Sequence, residues 1–110
     1  MTKIISYKEF EVIDIRVGTI IAAEENLKLN YPSIILKIDF GEKIGIKKSS
    51  AQLIKNYTPK DLINKQIAAV VNFKPKQIGK LISEVLVLGF PDPSNEPIII
   101  EPNKIVPNGG

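Results

Sequence analysis

The apolar residues of this 110-residue chain recur mostly with a period of two. Val12 to Ala22 is rich in β-branched residues and alternates from Ile13 to Val17, the pattern of a strand with one buried face. It predicts one long strand, with Gly18 permitting a bend or bulge. A polar turn region follows from Glu24 to Pro32. Ile34 to Phe40 alternates again and stops at Gly41, and Lys43 to Lys48 resumes after a tight connection, so these runs predict a hairpin. The period changes from Ser49 to Tyr57, where Ser50 can cap and Leu53, Ile54 and Tyr57 share a helical face. Thr58 to Leu62 predicts a second helical turn with Pro59 at its first position. Gln66 to Phe73 reads as the fourth strand, Lys74 to Lys80 as a basic loop broken by Pro75 and Gly79, and Glu84 to Phe90 as the fifth strand. Pro91 to Pro97 reads as a turn, Ile98 to Ile100 as a short last strand, and the remainder as an extended tail. Near the other end, Ser6 and Glu9 have the spacing of a capping box and predict a helical turn from Tyr7 to Phe10.

Five main strands with a short helix between the third and fourth predict an all-β protein. The matching architecture is a five-stranded oligonucleotide/oligosaccharide-binding (OB) barrel with N- and C-terminal extensions. An SH3-like barrel is the alternative, and the helical insert at Ser49–Leu62 argues against it. The length fits one domain over residues 1–110, with no repeat and no internal linker. No segment approaches the roughly 20 apolar residues of a membrane span. Lys3 is followed too soon by Tyr7, Lys8 and Glu9 for a secretory signal, so a cytoplasmic location is expected.

Composition narrows the chemistry. The chain is 44% apolar and 25% charged, too rich in large aliphatic residues for a disordered segment. It has no cysteine and no histidine, which removes disulfides, thiolate nucleophiles, the serine–histidine triad and the usual zinc and copper sites. Neither a G-x-G-x-x-G nor a P-loop pattern is present. Asp14 and Asp39 sit in strands as structural partners for Arg16 or Lys37, and nothing brings them together as a catalytic pair. The expectation is a protein that is not an enzyme, with no catalytic residue, no metal and no cofactor.

Charge is informative by position. The net charge is +3, but Lys43 to Lys80 holds nine lysines and one acid, Asp61. A basic segment in an otherwise acidic chain is the footprint of a polyanion partner; the plainer alternative is a lysine-rich solvated face. Lys74 and Lys76 lie in a loop beside Asn72 and end near Ser83. Lysines attract phosphate, while Asn72, Gln77 and Ser83 can read base edges or sugar hydroxyls. Phe73 either stacks on a base or packs in the core. Lys47 and Lys48, followed by Ser49 and Ser50, add a second basic and polar edge.

Several of these pieces together resemble one family. Phe10 to Ile20, containing Asp14-Ile15-Arg16-Val17-Gly18-Thr19-Ile20, resembles the D-[IL]-R-V-G-x-I opening of tRNA-binding OB domains. Those domains are appended to methionyl- and phenylalanyl-tRNA synthetases and also occur free. Leu36 to Gly41 resembles their second-strand motif. Asn72 to Gly79 resembles their N-[LF]-x-P-[RK]-x-[MI]-x loop, and Ser83 their following serine. The appended domains follow that serine with a Gly-Met pair, whereas Glu84 to Phe90 stands here. Gly45 to Gln52 and Val106 to Gly109 are similar to the CsaA-type branch, described as export-related chaperones that form homodimers and bind unfolded polypeptide. The resemblance implies an OB fold and tRNA as partner, with Lys47, Lys48, Asn72, Lys74, Lys76, Gln77 and Ser83 at the RNA. Unfolded polypeptides or export machinery are the alternative partners.

A homodimer is expected on separate grounds. Ile4, Ile5 and Phe10 precede the first strand, and Ile98, Ile99, Ile100, Ile105 and Val106 follow the fifth, all outside the five-stranded barrel. Left exposed, they form a patch that soluble monomers avoid. They either fold back over the barrel's open end or meet a second copy in a two-fold contact.

Overall fold

A computed structural model of the chain describes residues 2–27 and 32–110. In chain order the elements are α1 (Tyr7–Glu11), β1 (Ile15–Asn26), β2 (Ser33–Asp39), β3 (Ile46–Ala51), α2 (Pro59–Leu62), β4 (Gln66–Val70), β5 (Lys76–Ile78), β6 (Leu81–Ser83), β7 (Leu86–Val87), β8 (Gly89–Pro91) and β9 (Pro97–Ile99). β1 runs antiparallel to both β2 and β4, and the main sheet has the order β3-β2-β1-β4-β7. β5 pairs with β6 and β8 with β9 as separate ribbons. This curled five-stranded sheet, with α2 between β3 and β4, is the OB-type arrangement expected from the alternating pattern.

Alternation decides which side chains fill the curl. Ile34, Leu36 and Ile38 of β2 are fully buried with Ile20 of β1, Ile67 of β4 and Leu62 of α2. Phe40, just past β2, closes the same cluster. Its ring lies against the backbone of Gly18, where an added Cβ would meet the ring at 2.8 Å and Ile38 Cγ2 at 2.6 Å. Gly18 therefore gives close approach rather than a bend. The irregularity of β1 lies at Ile21, where the β1–β2 register slips between Ile20 and Ala22.

Several boundaries differ from expectation for identifiable reasons. β1 starts at Ile15 rather than Val12, because Asp14 N–H and the Val12 carbonyl are taken by the Asn72 side chain. β1 also runs on through Glu24 to Asn26, and the rest of the predicted turn, residues 28–31, lies outside the described residues. The expected helix from Ser49 is absent: β3 continues through Ala51, and only one turn closes at Leu53–Tyr57. Ser50, read as a cap residue, bonds across the barrel instead, as does Ser49. The basic loop contains β5 and the turn of the β5–β6 hairpin, with Gly79 at φ +62°. The fifth strand divides at Leu88: β7 stays with β4, while β8 joins β9. Gly89 permits that change, since a Cβ there would stand 2.9 Å from the Ile98 carbonyl.

Polar caps hold the connections. Thr58 and Asp61 form a reciprocal capping box on α2, and these bonds lower the Asp61 pKa. In the β8–β9 turn, Asp92 accepts from Glu96 N–H (2.9 Å), Ser94 N–H (2.8 Å) and Asn56 Nδ2 (3.0 Å). The Glu96 bond leads in holding the Asp92 carboxyl below its ordinary value, followed by the one from Asn56. A depressed carboxyl adds stability above its unfolded pKa and loses it as pH falls through the folded one. Thermal melting from pH 7 down to 3 should therefore show an acid decline that starts near the carboxylate range. That decline should be shallower in Asp92→Asn, whose neutral side chain no longer titrates. No helix among the described residues is long and apolar enough to cross a membrane.

Candidate nucleic-acid interface

The margins of the main sheet, β3 and β7, share no ladder among the described residues. Residues 83–85 bridge them instead. Ser49 Oγ donates to the Val85 carbonyl at 3.1 Å, and Ser50 N–H donates to Ser83 Oγ at 3.1 Å. Lys48 N–H donates to Glu84 Oε1 at 3.0 Å, and Glu84 N–H returns a bond to the Lys48 carbonyl at 2.8 Å. Thus the serine expected to touch RNA, Ser83, also fastens the edge of β3.

Beside this seam lies a groove of about 330 Å³ whose lining includes Phe73, Lys74, Lys76, Ser83, Glu84 and Leu86. Its chemistry follows from local geometry. Val71 N–H still bonds to the Asp14 carbonyl, but beyond it the chain leaves β4, so Phe73 is not packed in the core; it is 56% exposed. Pro75 directly precedes β5. β5 alternates, placing Lys76 and Ile78 on the groove while Gln77 is not among its lining residues. The groove thus combines apolar walls, an aromatic face, hydroxyls and two lysines. It can seat a planar or apolar group while the lysines hold an anion.

The predicted RNA residues divide accordingly. Lys74, Lys76 and Ser83 converge on the groove. Lys47 lies at the seam, its Nζ 3.9 Å from Glu84 Oε2. Lys48 is exposed and stands opposite Lys37 in the β2–β3 register. Sequence reading missed Lys37 as a site residue. The alternation of β2 does point it outward, but only the pairing register shows its lysine neighbour. Asn72 is engaged elsewhere: its amide accepts from Asp14 N–H (3.0 Å) and donates to the Val12 carbonyl (2.7 Å). Gln77 donates to the Gly79 carbonyl (3.1 Å) within its own hairpin. Glu84 was also missed as a groove residue, since a strand's alternation does not announce a seam.

The paired residues of the opening motif have structural partners. Arg16 Nε bonds Asp14 Oδ1 at 2.6 Å, an interaction that raises the guanidinium pKa, and Arg16 Nη1 donates to the Gly109 carbonyl. Asp39 accepts from Gly41 N–H rather than pairing with Lys37.

The apolar residues expected at a dimer contact also divide. Ile4, Ile5, Phe10, Ile98, Ile105 and Val106 are exposed, Ile4 at 92%. Ile99 is not available: it is 6% exposed and belongs to the core, because β9 turns that position inward. Ile100 is half-buried, and its N–H bonds the Leu88 carbonyl. The tail is tied to its own barrel, with Gln66 bonding both backbone groups of Val106 and Val17 bonding Gly109 and Gly110.

Residues 15–110 match the family described as "Putative tRNA binding domain", and the chain belongs to this family. Among solved structures, chaperone CsaA from Bacillus anthracis str. Ames superposes with a TM-score of 0.92 at 44% identity, covering 98% of this chain and 97% of that one. The CsaA chaperone protein from Picrophilus torridus gives 0.89 at 47% identity, with 97% of each chain covered. The methionine–tRNA ligase of Methanothrix thermoacetophila is 31% identical over 106 residues, or 96% of this chain. The chain spans 15% of the length of that curated relative.

Proposed function

We propose that the protein is a non-catalytic tRNA-binding module in which residues 1–110 act as one cytoplasmic unit. The observation that carries this reading is the convergence of Lys74, Lys76, Ser83 and Phe73 on one groove, with Lys37 and Lys48 on the adjoining sheet. The lysines hold phosphates and Phe73 offers its face to an unstacked base. Asn72 and Gln77 position the loop, and their exposed amides keep further hydrogen-bonding capacity for base edges or sugar hydroxyls. Membership of the tRNA-binding domain family supports the choice of ligand. If the four lysines each neutralise one phosphate, affinity should fall roughly 50- to 150-fold between 50 and 200 mM salt. Filter binding of tRNA across that range tests the reading, and no binding at low salt defeats it.

A second reading has its own support. The groove carries exposed apolar residues, including Phe73 and Leu86, and the solved structures similar to this chain include chaperones. On that reading the groove receives unfolded or preprotein polypeptide, in the service of export. Competition between tRNA and a denatured polypeptide for the labelled protein separates the two. Failure to suppress aggregation of any denatured client counts against the chaperone.

The homodimer is part of this proposal. α1 buries none of its residues, and Ile4, Ile5 and Phe10, the last packed against the Tyr7 ring, leave an apolar face exposed among the described residues. A second copy would cover it and place two basic surfaces on one RNA. Sedimentation at micromolar concentration should give twice the chain mass, insensitive to salt because the contact is apolar. Ile5→Asp should give the monomer.

A further inference from the structure

Among the described residues, Glu84 is the one acid lining the groove, and it stands among lysines. Its carboxylate is pinned: Oε1 takes the N–H of Lys48 at 3.0 Å, and Oε2 lies 3.9 Å from Lys47 Nζ. Its own N–H is tied to the Lys48 carbonyl. An ordinary surface glutamate swings away from an approaching phosphate. This one must release a strand-edge N–H to do so. At 34% side-chain exposure it still projects its charge into the groove.

The hydrogen bond explains why an acceptor stands here but not why it is charged, since a glutamine would take the same N–H. The charge has consequences of its own. It pairs with Lys47 and so withdraws that cation from a polyanion. It also repels phosphate within a Debye length, about 10 Å at 0.1 M salt. A groove built only for tight phosphate binding gains from neither.

Resting on the tRNA reading above, we propose that Glu84 is a specificity-determining residue whose charge keeps Lys47 off the RNA. It directs phosphates to Lys74 and Lys76 and leaves the groove interior to uncharged groups. Its removal frees one more cation, and each phosphate contact at 0.1 M salt is worth up to about eightfold in affinity through counterion release.

Filter binding of tRNA to the wild type, Glu84→Gln, Lys47→Ala and the double variant provides the test. Glu84→Gln should bind about fivefold tighter at 0.1 M salt, with the salt dependence steeper by about one counterion. Lys47→Ala should change the wild type less than about twofold, yet cancel the gain in the Glu84→Gln background. Glu84→Ala, which loses the acceptor as well, should also tighten binding, provided thermal melting shows it folded. Equal or weaker binding by Glu84→Gln overturns the inference, as does an equal cost of Lys47→Ala in both backgrounds. If wild-type binding follows the expected salt dependence while Glu84→Gln is unchanged, this inference alone fails. If no variant binds at low salt, the tRNA reading fails and takes it down.

Discussion

Phe40→Ala should destabilise the protein by about 3–5 kcal/mol, a large part of a small domain's total stability. The ring is 1% exposed and sits where β1, β2 and the Gly41–Gly45 connection meet. Its loss leaves a cavity that the hydrogen-bonded strands on either side cannot collapse around. Gly18→Ala attacks the same contact from the other side, because its new Cβ lands 2.8 Å from the ring. Overpacking of that kind costs about 1–3 kcal/mol. The two changes should not add. Once the ring is gone the new methyl has room on that side, although Ile38 Cγ2 at 2.6 Å still crowds it. Urea denaturation of both single variants and the double should therefore place the double closer to Phe40→Ala than the sum requires. Additivity within about 0.5 kcal/mol would show that the ring and Gly18 are not in contact.

The second large effect is on binding. Replacing Lys74 and Lys76 together with alanine should weaken tRNA binding about 30-fold at 0.1 M salt and flatten the salt dependence by about two counterions. Among the described residues neither lysine makes an ion pair, and each lines the groove. Thermal stability should stay near that of the wild type, since exposed lysines contribute little to it. Alanine at Lys55 and Lys60, which line no part of this groove, serves as the control and should leave affinity nearly unchanged. If the control pair costs as much as the groove pair, binding follows net charge alone and the groove has no special place in it.

Much of the fold was legible because the strands bury one face only. In Ile34 to Phe40, alternation separates Leu36 and Ile38 from Lys37 without ambiguity. The helix at Thr58 and the turn at Ser6 were legible because capping is a local chemistry with a fixed spacing. What stayed hidden depends on residues distant in sequence. Ser50 looks like a helix cap until Ser83 is brought against it, and its neighbour Ser49 meets the Val85 carbonyl. Ile98-Ile99-Ile100 reads as a uniform apolar run, yet only Ile99 joins the core, and its N–H bonds the Tyr57 hydroxyl. The candidate site shows the same division. Its lysines are visible in composition, and their gathering around Phe73 depends on the β5–β6 hairpin, which no single residue of the loop specifies. Asn72, conspicuous as a polar residue beside a basic loop, is bound to backbone 58 and 60 residues away along the chain.

The way the barrel is fastened gives the groove a mechanical character. The other neighbours in the main sheet are joined by ladders, but between β3 and β7 the joint consists of bonds from Ser49, Ser50, Lys48 and Glu84. Breathing of the molecule concentrates there, because a few side-chain bonds open at lower free energy than a ladder does. The groove lies along that joint and draws its lining from both sides, Ser50 from one margin and Leu86 from the other. A ligand bridging the two margins acts as a staple across this joint. It holds the closed form by its own binding energy and is itself held less firmly whenever the joint gapes.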